Sequence, residues 1–153
     1  MSEHDDLRWL RESIELSRSC PVSATAFSVG AVILGADGQV LSTGYSREGD
    51  PHVHAEEAAL SKLPVDDRRL HEATIYSSLE PCSKRASRPR TCSELIIDAG
   101  IPRVVYAWRE PVLFVDGEGD EKLREAEVTV VHLPQLADLV IEINAHLMGS
   151  GSK

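Results

Sequence analysis

The amino-acid sequence predicts an α/β chain: a three-layer α/β/α arrangement around a mixed five-stranded sheet. Three observations lead there. Two β-rich runs flank a four-residue loop, strands and helices alternate through the second half, and an amphipathic helical stripe lies near each end. At 153 residues, 42% of them hydrophobic, the chain fits one domain with one sizeable core, expected over residues 1–148. The last residues, 149–153 (GSGSK), carry no packing side chain and read as a flexible tail.

A first helix is expected from about Glu3 to Ser17, with Leu7, Leu10, Ile14 and Ser17 on one stripe, Ser2 as cap, and an end before Pro21. Phe27 to Leu34 and Gln39 to Tyr45 form a hairpin across Gly35-Ala36-Asp37-Gly38. From His54 to Leu63 good helix formers dominate, and Pro64 stops them. Thr74 to Leu79 reads as a buried strand, Cys92 to Ala99 as a helix closed by Gly100, and Arg103 to Trp108 as the next strand. A helix from Glu118 to Ala126 then crosses over to a strand at Val128 to Leu133, which makes this last strand pair parallel. The closing segment Gln135 to Met148 spaces Leu136, Leu139, Val140, Ile143 and Leu147 as one helical stripe, suited to cover the sheet or a partner subunit.

Sixteen basic against twenty-five acidic side chains give a net charge of −9, which opposes binding to long nucleic acids. The start, Met1 to Asp6, is acidic, and no run of about eighteen apolar residues occurs, so neither secretion nor membrane insertion is expected. Three cysteines without a signal peptide point to a reducing compartment, the cytoplasm, and to thiols used outside a disulfide framework.

The chemistry-bearing residues are His54, Glu56, Cys82 and Cys92. His54-Ala55-Glu56 opens one predicted helix, while Pro81-Cys82 and then Cys92 lead into the next. Both segments follow strands, and strand ends and helix N-termini converge on one crevice in such sheets. One imidazole and two thiolates make the three-ligand set of a catalytic zinc, whose fourth position stays open for water. Glu56, two residues from His54, can then exchange protons with that water without being a ligand. A structural zinc would need a fourth ligand, which His52 or Cys20 could supply, and would leave Glu56 without a task.

This pattern resembles the cytidine deaminase superfamily, with its His-x-Glu and Pro-Cys-x-x-Cys signature, although nine residues, Ser83 to Thr91, separate the thiols here. Leu79-Glu80-Pro81-Cys82-Ser83, Gly100-Ile101-Pro102-Arg103-Val104-Val105, Arg109-Glu110-Pro111 and Asp116-Gly117-Glu118-Gly119 are similar to the deaminase domain of riboflavin biosynthesis. Phe27-Ser28-Val29-Gly30-Ala31 is similar to the free cytidine deaminases. The resemblance implies a Zn2+-dependent hydrolytic deaminase acting on a small aminated heterocycle, foremost an aminopyrimidine nucleotide of the riboflavin pathway type. It also implies a homo-oligomer, a dimer first. The rivals are a cytidine or deoxycytidylate deaminase, a scavenging deaminase of relaxed specificity, and a zinc-stabilised binding module without catalysis.

Further candidates surround that core. Phe27 is the best stacking partner for a planar base, by resemblance, whereas Trp108 and Phe114 read as core. Ala55, next to His54, is expected to line the substrate pocket, and His52, two residues before His54, to line it or face solvent. Lys84, Arg85, Arg88 and Arg90 form a dense basic cluster, which either grips a substrate phosphate or is a solvated loop. Glu80 either supports a group near the metal or makes an ordinary salt bridge.

Overall fold

The structure, a computed structural model, describes residues 3–24, 26–82, 90–109 and 119–148. Helix α1 (Glu3–Leu16) precedes the hairpin β1 (Gly30–Leu34) and β2 (Val40–Tyr45). Then come α2 (Ala55–Ser61), β3 (Thr74–Leu79), α3 (Cys92–Ala99), β4 (Arg103–Trp108), α4 (Gly119–Glu125) and β5 (Thr129–His132). The chain closes with α5 (Ala137–Ile143) and α6 (Ala145–Met148). The five strands form one sheet in the order β2-β1-β3-β4-β5. Strand β1 is antiparallel to β2 and β3, while β3–β4 and β4–β5 are parallel. The mixed sheet and its parallel last pair are as expected.

Alternation along each strand divides the core between two sheet faces. Ile33, Ile75 and Val104 pack with Ala55, Ala59, Ile96 and Leu123 under α2, α3 and α4. Val32, Leu34, Tyr76 and Val105 pack with Leu10, Ile14, Leu136 and Val140 under α1 and α5. Burying an aliphatic side chain of this size contributes about 1.5–3 kcal/mol, so both layers are held mainly by apolar contact. The stripe of the closing segment therefore covers the sheet.

Two expectations are corrected. Strand β1 begins at Gly30, not Phe27. Val29 O before it still accepts from Ser46 N (3.0 Å), but the backbone amides find side-chain partners instead of a strand: Ser28 N donates to Asn144 Oδ1 (2.7 Å) and Val29 N to Ser46 Oγ (3.0 Å). The closing helix is broken at Asn144, where the side chain also donates to Ser28 O (3.2 Å) and Val140 O (3.0 Å). An amide that serves two strand-like groups of Ser28 reproduces the pairing a neighbouring strand would have offered. Ser2 and the tail 149–153 lie outside the described residues.

Because β1 runs against its neighbours, β2, β3, β4 and β5 all end on one edge of the sheet. The segments leading to His54 and Cys82 both leave from that edge, as does the segment entering β1. Gly44 lets α2 lie directly on β2: a Cβ there would meet Ala55 O at 2.4 Å and Ala59 N at 2.5 Å. Only glycine allows that approach, and it fixes where the first turn of α2 stands.

Candidate metal centre

His54 is the N-cap of α2, in an extended conformation (φ −93°, ψ 162°), rather than its first helical residue, and its N–H donates to Glu57 Oε1 (3.3 Å). Cys82 follows β3 at the buried Pro81. Cys92 is the first residue of α3, whose N-cap Thr91 accepts from Glu94 N (3.2 Å) through Oγ1. These three segments converge. His54 Nδ1 lies 3.3 Å from Cys92 Sγ and 3.7 Å from Cys82 Sγ, and the three donor atoms all fall within 4.8 Å of one another. A tetrahedral zinc bound at the usual Zn–N and Zn–S lengths separates such donors by about 3.5–3.8 Å, so the two imidazole–sulfur spacings are close to what zinc needs. All three cysteines are free thiols.

The electrostatics favour a metal-ready thiolate at Cys82. Hydrogen bonding from the Cys92 thiol, the His54 ring and the Cys92 backbone amide overcomes burial and brings the Cys82 thiol down to about 4. The amide bond is short enough to be specific, with Cys92 N donating to Cys82 Sγ at 3.3 Å.

Glu56, in the first turn of α2, is only 3% exposed. Burial pushes its carboxyl above the usual carboxylate range, against the opposing pull of His54. Its Oε2 accepts from Ser77 Oγ (2.8 Å). Glu56 lines a cavity of about 290 Å³ together with Phe27, Arg47, His52, His54 and Cys82. A buried carboxyl beside a metal-ligand triangle can take and return protons at the cavity wall.

Ala55 and His52 also reach the wall, His52 as an exposed residue and Ala55 fully buried. Phe27 stands at the wall edge-on to Trp108, with ring centroids 5.6 Å apart. Cys20 is elsewhere, its Sγ 3.6 Å from Val29 O. Arg90 does not line the cavity; its guanidinium pairs with Asp98 and, at 3.9 Å, with Glu94. Lys84, Arg85, Arg88 and Phe114 lie outside the described residues, as do Ser83, Glu110-Pro111 and 116–118. Glu80 makes an ion pair with Arg109 (3.4 Å) and accepts from Asp120 N (2.8 Å) at the start of α4.

Two residues at the site escaped the sequence reading. Arg47 holds the left-handed conformation (φ 64°) and donates to Pro21 O (2.8 Å), Phe27 O (3.2 Å) and Ser28 Oγ (3.0 Å). It thereby pins the segment that carries Phe27. Ser77 is the other, and its signal was present: a hydroxyl two residues from Ile75, on the core-facing side of an apolar strand.

Comparison with known proteins agrees with this geometry. A family model described as the cytidine and deoxycytidylate deaminase zinc-binding region matches residues 3–108. The chain is 37% identical over 135 residues to a diaminohydroxyphosphoribosylamino-pyrimidine deaminase of Schizosaccharomyces pombe, covering 86% of this chain and 33% of that protein. It is also 37% identical over 106 residues to the riboflavin biosynthesis protein RibD of Escherichia coli, covering 69% of this chain and 27% of the relative. The chain thus spans about a third of the length of these curated relatives. Among solved structures, RibD of Acinetobacter baumannii superposes with a TM-score of 0.78 at 28% identity, over 99% of this chain and 42% of that one. The Rib2 deaminase of Aspergillus oryzae gives 0.76 at 24% identity, over 95% and 93%, and shows the shared fold. The chain belongs to the cytidine and deoxycytidylate deaminase zinc-binding family.

Proposed function

We propose that this chain is a hydrolytic deaminase of a small aminopyrimidine, foremost a ribosylaminopyrimidine phosphate of the riboflavin pathway type. In this reading His54, Cys82 and Cys92 hold zinc and Glu56 is the acid and base. The observation that carries it is the meeting of three zinc-type donors and one buried carboxyl at a single cavity. The 37% identity to a pyrimidine deaminase over 86% of the chain supports the substrate class.

When bound, zinc supplies Lewis-acid activation of a water nucleophile, lowering its pKa towards about 7. The protein's own groups do the rest. Glu56 accepts one proton from the attacking water and returns it to the ring nitrogen, then takes the proton of the hydroxyl formed on the ring carbon and passes it to the departing amine, so that C–NH2 and water become C=O and ammonia. A carboxyl whose affinity for protons is raised by burial suits both directions of that transfer. The Cys92 amide and the start of α3 hold negative charge on Cys82. Phe27 and Ala55 supply apolar wall for a flat ring, and His52 faces the open side.

Ammonia release from a panel of heterocycles tests the proposal: a diaminohydroxy-phosphoribosylaminopyrimidine, its dephosphorylated form, cytidine and deoxycytidylate. Turnover of the phosphoribosyl compound above the others, abolished in Glu56→Gln with zinc retained, is the expected result. Turnover of cytidine alone would move the assignment to the free cytidine deaminases, which the Phe27-Ser28-Val29-Gly30-Ala31 segment resembles. Retained zinc without turnover in the parent protein would make it a zinc-stabilised binding module. The same reading includes a cytoplasmic location, consistent with three free thiols, and a homodimer, which light scattering checks. No described helix is long and apolar enough to cross a membrane.

A further inference from the structure

We propose that Ser77 is the positioning residue for the Glu56 carboxyl, an inference that rests on the deaminase reading above. Glu56 reaches the cavity on a side chain with three rotatable bonds, and α2 fixes only its Cα. The remaining freedom must be removed if the carboxyl is to meet reacting atoms within a few tenths of an ångström. Ser77 Oγ lies 2.8 Å from Glu56 Oε2 and, among the described residues, is the side chain that hydrogen-bonds it.

The placement of Ser77 makes it a rigid support. It sits inside β3, paired with Ala31 of β1 on one side and Tyr106 of β4 on the other, and is fully buried. Five residues later the same segment carries Cys82. One hydrogen bond therefore registers the acid–base group of α2 against the strand that delivers a thiolate to the metal. The Ser77 hydroxyl carries one hydrogen and has two acceptors at 2.8 Å, Glu56 Oε2 and Leu79 O, so the bond to the carboxyl is made in competition with a carbonyl of its own strand. Ser77 is not among the residues lining the cavity, so its loss should spare substrate binding.

The test compares Ser77→Ala and Ser77→Thr with the zinc-loaded parent protein, measuring kcat, KM, zinc content and thermal midpoint. The expected result for alanine is a fall in kcat of about ten- to a hundredfold with KM within about twofold and zinc retained, the loss typical of one hydrogen bond to a charged group. Threonine, which keeps the hydroxyl, should restore most of it. A merely structural serine would move the midpoint and leave kcat, and that outcome, or equal loss in both variants, overturns the proposal. If the alanine variant does not fold, Ser77→Cys, of similar shape with a weaker donor, takes its place. If the parent turns over no heterocycle, the deaminase reading has failed on its own. Crystal structures of zinc-loaded parent and Ser77→Ala then decide: a Glu56 carboxyl that turns away in the variant supports positioning, and an unmoved one refutes it.

Discussion

Replacing Asn144 with alanine should destabilise this protein markedly, although the residue lies beyond the matched residues 3–108. The side chain is 1% exposed and makes three hydrogen bonds: it accepts from Ser28 N and donates to Ser28 O and Val140 O. Truncation leaves the N–H and C=O of Ser28 without these partners at a residue only 8% exposed. Each orphaned buried group costs about 1–3 kcal/mol, so about 2–5 kcal/mol is expected once some water entry is allowed. For a chain of this size that lowers the thermal midpoint by about 5–15 °C. Circular dichroism melts of parent, Asn144→Ala and Asn144→Asp measure it. Aspartate keeps the acceptor but sets a buried carboxylate against Ser28 O and Val140 O, so it should lose at least as much as alanine. Because Ser28 adjoins Phe27 at the cavity wall, KM should rise with the midpoint loss. A midpoint shift below about 1 °C in the alanine variant would refute the view that this amide stands in for a strand.

Three other outcomes are expected. Gly44→Ala forces α2 outward by about 1 Å, since its Cβ would otherwise stand 2.4 Å from Ala55 O, and misplacement of Glu56 on that scale should lower kcat/KM about a hundredfold in the ammonia assay. Burial disfavours the charged form of Asp6, but hydrogen bonds from Arg103 and Tyr76 outweigh it and hold the carboxyl below its usual range. The resulting stability is fully present above the unfolded value of about 3.9 and is lost as pH falls through the folded one, so Asp6→Asn should flatten the acid limb of a melting-temperature profile. Cys82→Ser or Cys92→Ser should drop zinc, read by native mass spectrometry, from about one per chain to a small fraction, and chelation of the parent should lower its melting temperature.

The candidate metal site is legible in the sequence because its chemistry resides in residue types at short spacings. His54-Ala55-Glu56 puts a candidate ligand and a carboxyl in one turn, and Pro81-Cys82 with Cys92 marks two chain positions that begin or precede a helix. The strands were legible from alternation and β-rich composition, and the parallel β4–β5 pair from the helical crossover between them. β1 starts at Gly30 and not at Phe27, because composition reports that Phe27, Ser28 and Val29 tolerate an extended backbone but not which groups will take their hydrogen bonds.

Local sequence determined which residues can do chemistry and which segments can be helix or strand, since both depend on neighbours a few positions away. Tertiary structure alone decided who supports them: Ser77 beside Glu56, Arg47 beneath Phe27, and Asn144 against Ser28, the last pair 116 residues apart. Such partnerships join elements whose separation along the chain carries no periodic signal. They exist only because burial leaves each polar group no water to turn to, so it must bond to whatever the folded chain brings alongside.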